Sequence, residues 1–167
     1  MKKLFSLFVV FAIIAISANS FSQTPVLRET FNGATFPPTG WIITNGGSGN
    51  NWSRTTTSPY MFEGAGSMQY IYNTSFAANT WAFTSNISMT AGNDYYVVFY
   101  QSVAGAGYPE NLKVTVGNAQ TIAAQTTTVG TYSGLINTTF QRLQTSSFTA
   151  TSTGNFYFAF NCYSPAD

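Results

Sequence analysis

Histidine is absent from the 167 residues, and cysteine occurs once, at Cys162. The first absence removes Ser-His-Asp and Cys-His nucleophilic arrangements, imidazole metal sites and a histidine general base. The second excludes an internal disulfide framework, so stability has to come from burial, sheet pairing or a metal. Charge is scarce too: Asp, Glu, Lys and Arg make up 7% of the chain. That is too little for a basic stripe that counters phosphates, and it argues against nucleic acid and anionic membranes as partners. The phosphate-cradling Gly-Lys loop, the dinucleotide fingerprint and paired Cys motifs are also missing. No window keeps amphipathic helical spacing for more than two turns.

What is present begins with MKKLFSLFVVFAIIAISANSFSQ: two lysines, an apolar run from Leu4 to Ile16, then small polar residues. This three-part layout predicts a secretory signal peptide over 1-22, with Ser20 and Ser22 at the small-residue positions before a cut at Gln23. The apolar run is shorter than the roughly 18 to 20 residues that span a bilayer, so no membrane insertion is expected after cleavage. Residues 23-167 amount to one domain with enough chain for a real core. Its four cations (Arg28, Arg54, Lys113, Arg142) and five acids (Glu29, Glu63, Asp94, Glu110, Asp167) leave a net charge of −1.

Past the signal, the periodic segments alternate with period two: 26-31, 67-73, 94-103, 110-116, 139-148 and 155-160. They are rich in Val, Ile, Tyr, Phe and Thr and bounded by Gly, Asn, Pro and Ser clusters, which predicts an all-β sandwich of short strands. Ala91-Gly92-Asn93-Asp94 and Val116-Gly117-Asn118-Ala119 read as hairpin turns that tolerate positive φ. The small, polar stretch 121-139 reads as an irregular crossover between sheets. The chain stops at NCYSPAD straight after a strand, which suggests a C-terminally truncated fragment lacking the closing strand.

Chemistry-bearing residues are few. Glu63 and Glu110 sit in Gly- or Pro-bearing loops and are the available pair for glycosidase-type catalysis, though acids so placed are usually solvated or ion-paired. Glu29 and Asp167, on the first and last segments, are candidate ligands of a structural calcium, a hard cation that takes carboxylate and carbonyl oxygens. Trp41 and Trp81 fall in phase with inward strand faces and read as core. So does Cys162, in phase with Phe156, Phe158 and Phe160, as a small buried hydrophobe. Trp52, Tyr60 and Tyr108 lie in or beside Gly/Asn/Pro-rich loops, where a flat ring can stack on a sugar or peptide, and are the candidate ligand-binding residues. In FPPTGWIITNGGSGNNW (36-52), Gly40 permits a turn that drops Trp41 into the core, while Pro37 and Pro38 hold the chain extended. The uncharged second half reads as a mobile loop ending in Trp52.

Several segments in order, RETFNGATFPPTGW, NNW, GSMQYIYN, NTWAFTSNISMTAGNDYYVVFYQ, ENLKVTVGNAQT and NFYFAFNCYSPAD, resemble the choice-of-anchor J domain. That domain is related to the cleaved-adhesin domains of gingipain-type surface proteases and similar in shape to MAM domains. The resemblance implies a jelly-roll β-sandwich on the outer surface of a Gram-negative bacterium that uses type IX secretion. It also implies binding to host or cell-surface proteins or glycans, structural calcium in many members, and a further terminal strand. The function expected is a secreted or cell-surface, non-catalytic binding or adhesion module. The alternative is an accessory domain of a secreted protease or glycoside hydrolase whose catalytic part lies outside this chain.

Overall fold

A computed structural model describes residues 23–166; the expected signal peptide over 1-22 and Asp167 lie outside the described residues. The strands are β1 (Ile42–Asn45), β2 (Ser53–Thr55), β3 (Ser67–Gln69), β4 (Thr80–Phe83), β5 (Ile87–Met89), β6 (Asp94–Tyr95), β7 (Val98–Gln101), β8 (Glu110–Gly117), β9 (Thr127–Leu135), β10 (Gln141–Gln144), β11 (Phe148–Thr149) and β12 (Gly154–Cys162). The main sheet is antiparallel in the order β1-β4-β12-β8-β9, with β5 continuing β4 along β12. A second layer holds the antiparallel pairs β10-β7 and β11-β6, and β2-β3 forms a separate two-stranded ribbon. The architecture is the all-β sandwich that the period-two segments predict, with the jelly-roll form that the resemblance implies.

The core follows from alternation along β12. Phe156 and Phe158 point to one face, where they meet Ile87, Met89, Val114, Val116 and Val129, with Tyr95, Val97, Phe99 and Phe148 packed from the second layer. Ala159 points to the other face and joins Trp81 and Phe83 in a separate cluster. Burying a phenylalanine fully is worth about 1.5–3 kcal/mol, so these rings supply much of the driving force in a chain with so little charge. Segment 118–126 covers the second face. Gln120 Nε2 donates to Gly40 O at 2.6 Å and Thr84 O at 2.8 Å, and Thr115 Oγ1 lies 2.9 Å from Gln125 Oε1. Gly117 makes that close approach possible, because a Cβ there would fall 2.0 Å from Ala124 O. Its role is therefore clearance, and not the positive φ expected of a hairpin turn.

Two interruptions in the ladders share one device. Between β4 and β5 the register against β12 shifts by one residue. There Thr84 N donates to Phe158 O (2.9 Å), while Phe158 N donates to Thr84 Oγ1 (3.1 Å). Between β10 and β11 the register against β7 and β6 shifts likewise. Thr145 N donates to Val97 O (3.0 Å) and Val97 N to Thr145 Oγ1 (3.0 Å). In each bulge a buried threonine hydroxyl replaces the missing backbone acceptor, so no buried N–H is orphaned. The extra residue also flips the side-chain phase, which is why Trp81 and Phe83 face one core and Ile87 and Met89 the other.

Several expectations are corrected. Residues 26-31 form no strand: Glu29 Oε1 accepts from Thr30 N and Phe31 N, and Arg54 takes the carbonyls of Phe31 and Asn32, so side chains and not a ladder satisfy this backbone. Pairing of β3 stops at Gln69. The turn at Gly92 (φ 83) is no hairpin; it carries the chain from β5 in the main sheet to β6 in the second layer. Stretch 121-139 contains β9, an edge strand paired with β8. Its Thr and Tyr content suits a half-solvated pleat, and only Val129 is buried.

Candidate ligand-binding surface

In β7, Phe99 points into the sandwich, so its neighbours Val98 and Tyr100 point out. Register places Arg142 of β10 opposite Tyr100, and Gln144 opposite Val98, on that outer face. Phe62, from the loop after β2, lies on Tyr100 with ring centroids 3.8 Å apart and planes 12° from parallel; Phe140 is 5.5 Å from Phe62. Tyr100 and Phe62 remain 45% and 44% exposed despite this contact. The result is an open platform of stacked rings on a rigid strand pair.

Two more loops meet at this end of the sandwich. Val103 N donates to Asn137 O (2.8 Å), and Gln101 Nε2 to Asn137 Oδ1 (2.7 Å), tying segment 102–109 to segment 136–140. The first carries Tyr108, 63% exposed, and the loop with Phe62 carries Tyr60, 43% exposed. Trp52 is placed differently. It is half-buried, its Nε1 donates to Phe160 O (3.2 Å), and its ring meets Tyr70 edge-on at 6.3 Å. It is thus held against the main sheet. The loop before it is stitched by asparagine: Gly47 N donates to Asn45 Oδ1, Asn45 Nδ2 to Gly49 O, and Gly46 N to Asn79 O. In the first half of that stretch, Trp41 N donates to Pro38 O (2.9 Å) across Gly40 (φ 80), and Trp41 is buried as expected. Residues 33–37 form a bend, so the chain does not run extended through Pro37.

The cations divide sharply. Arg28 pairs with Glu63 at 3.1 Å on the surface. Arg54 donates to the carbonyls of Phe31 (2.8 Å), Asn32 (3.3 Å) and Ala65 (2.8 Å), clamping the N-terminal segment to the β2-β3 loop. Lys113 lies over the Tyr163 ring, 5.2 Å from its centroid. Arg142 touches a neutral group, Gln144 Oε1, at 3.3 Å. Glu110 opens β8 opposite Leu135, whereas Arg28 and Glu63 lie outside the strands. Glu29 borders a cleft of about 280 Å³ with Phe31, Gly33, Ala34, Thr35, Pro38 and Thr39; Asp167 lies outside the described residues. No cluster of three or more His, Cys, Asp or Glu suited to a metal occurs among the described residues. Burial pushes the Cys162 thiol above its ordinary pKa, as befits a packed hydrophobe.

A larger opening of about 420 Å³ lies between segment 117–127 and Phe148, Thr151 and Phe156. Its walls carry no charged group and its rings belong to the core, so it offers a ligand little to orient it. The outer-face platform combines exposed rings with directional donors. Sequence reasoning missed Phe62, Tyr100, Phe140 and Arg142. The available signal was DYYVVFYQ, which is apolar in both phases and so must leave rings on its outer side.

These features define a class: a jelly-roll sandwich with an aromatic surface on one sheet. No protein-family model and no curated protein matches the sequence. Among solved structures, the chain is similar to the K1 cleaved-adhesin domain of Lys-gingipain from Porphyromonas gingivalis W83, with 15% identity, TM-score 0.63, and 83% of this chain and 88% of that chain covered. It is also similar to the K3 cleaved-adhesin domain of the same protein, with 17% identity, TM-score 0.56, and coverage of 78% and 85%. At these identities the likeness is one of fold: the chain has the cleaved-adhesin fold.

Proposed function

We propose that this chain is a non-catalytic binding and adhesion module working outside the cell, on the outer surface of a Gram-negative bacterium, and that it recognises protein or glycan. The observation that carries the reading is the platform of Phe62 and Tyr100, two half-exposed stacked rings that no core requires. The cleaved-adhesin fold and the N-terminal signal pattern support it. Tyr60 and Tyr108 extend the surface onto the neighbouring loops. Exposed aromatics of this kind are the usual anchors of recognition surfaces. The test is adherence of the purified protein to cells and immobilised glycans. Phe62→Ala with Tyr100→Ala should abolish it while the melting curve stays in place; unchanged adherence would remove this surface from the function.

The cleft at Glu29 is our proposed seat for a structural calcium, with Glu29 as its carboxylate; Asp167, the other candidate ligand, lies outside the described residues. One Glu29 oxygen accepts the two backbone N–H groups, and the other has no partner among the hydrogen bonds of the described residues. A cation bound only by the folded state raises Tm by mass action. Calcium should therefore raise Tm relative to chelator, and Glu29→Gln should erase the difference; identical melts in the two conditions would dismiss the site.

A further inference from the structure

Resting on the adhesion reading, we infer that the outer face of β7 and β10 binds carboxylate-bearing saccharides, with the stacked Tyr100–Phe62 pair offering one exposed ring face to the sugar and Arg142 pairing with its carboxylate. Arg142 stands directly across the strand pair from Tyr100, on the same side of the sheet. Among the described residues it differs from Arg28, Arg54 and Lys113, which engage Glu63, three carbonyls and the Tyr163 ring respectively. Its partner is the neutral Gln144, whose amide orients the guanidinium without neutralising it. The acid on this ribbon, Asp94, sits at the far end opposite Thr149 and accepts from Thr149 Oγ1. Six residue steps along the chain, about 20 Å at the roughly 3.3 Å rise of extended backbone, separate it from Tyr100.

An unneutralised planar guanidinium beside a flat ring calls for a ligand with an anionic fork next to an apolar face. A uronic-acid pyranose presents both on one residue: axial C–H bonds for the ring and a carboxylate for the guanidinium. The shape of the surface favours a saccharide over an acidic peptide. An extended peptide gains affinity from unpaired sheet edges or from anchoring pockets. The ribbon is two-stranded and each strand keeps an open edge, but the rings and Arg142 project from its face, where side chains stand in a row suited to successive units of a polymer.

The experiment is affinity electrophoresis of the protein in polygalacturonate, alginate and hyaluronate, with methyl-esterified polygalacturonate as the uncharged match. Retardation is expected in at least one uronate. It should weaken about tenfold on esterification, equivalent to about 1.4 kcal/mol, and the Arg142→Gln protein should no longer distinguish acid from ester. Tyr100→Ala should lose both modes, with circular dichroism confirming that each variant folds. Binding that depends on Tyr100 but ignores both esterification and Arg142→Gln would overturn the carboxylate inference while leaving the adhesion reading intact. No retardation by any uronate, alongside Tyr100-dependent binding to a protein-coated surface, would overturn it in favour of a protein partner. Adherence indifferent to Phe62 and Tyr100 would overturn both.

Discussion

Phe83 and Phe62 are the same side chain in opposite situations. Phe83 is fully buried beside Trp81 and Ala159 on one face of the main sheet, whereas Phe62 lies half-exposed on Tyr100 outside the second layer. The chain contains 15 Phe, 10 Tyr and 3 Trp. From Phe36 through Phe31, Trp41, Phe160 and Phe99 to Tyr132, consecutive ring centroids lie within 6.5 Å, forming a continuous seam of buried and partly buried rings. The platform rings are no part of that seam. Aromatic content in a charge-poor chain thus serves two ends, and only position decides which.

The contrast predicts a graded series. Phe83→Ala should cost about 3–5 kcal/mol, since it leaves a cavity at a site with no solvent access; denaturant unfolding measures it, and a loss below about 1 kcal/mol would mean that the second-face cluster is not a core. Arg54→Ala should follow at about 2–3 kcal/mol, because three carbonyls lose charge-assisted partners and the N-terminal segment is freed. Arg54→Lys, which cannot span the three acceptors with a planar fork, should recover only part of this. Thr84→Val and Thr145→Val should each cost about 1–3 kcal/mol by stranding the amide of Phe158 or Val97, and serine at either position should restore most of it. The two values sharpen the comparison: Phe158 is buried and Val97 only partly so, which makes the Thr84 change the costlier. Phe62→Ala and Tyr100→Ala should shift stability by no more than about 0.5 kcal/mol while removing binding. A large loss of stability there would return these rings to the scaffold.

Where one phase holds along a strand, the sequence discloses the fold. Phe156, Phe158 and Cys162 in β12 and Val114 and Val116 in β8 are buried as their alternation requires. It fails where side chains stand in for the backbone. The segment 26-31 alternates like a strand, yet Glu29 and Arg54 satisfy its polar groups, a tertiary arrangement with no local signature. β9 escaped notice for the opposite reason: an edge strand facing solvent needs few apolar residues, so a polar stretch can pair as well as an apolar one. The candidate surface was only partly legible. Tyr60 and Tyr108 announce themselves by lying among loop residues, and both are exposed. Trp52 gives the same local signal, but its indole reaches across to Phe160 in β12. Phe62 and Tyr100 meet across 38 positions of chain, a contact that no local pattern encodes.

The threonine-closed bulge between β4 and β5 has an evolutionary corollary. It works like a frameshift in the pleat, dividing one physical strand into two words that are spelled for different readers. Trp81 and Phe83 before Thr84 answer to one cluster, and Ile87 and Met89 after it to the other. Those two pairs can therefore drift separately, while deletion of a single residue between them would put one word out of phase with its reader.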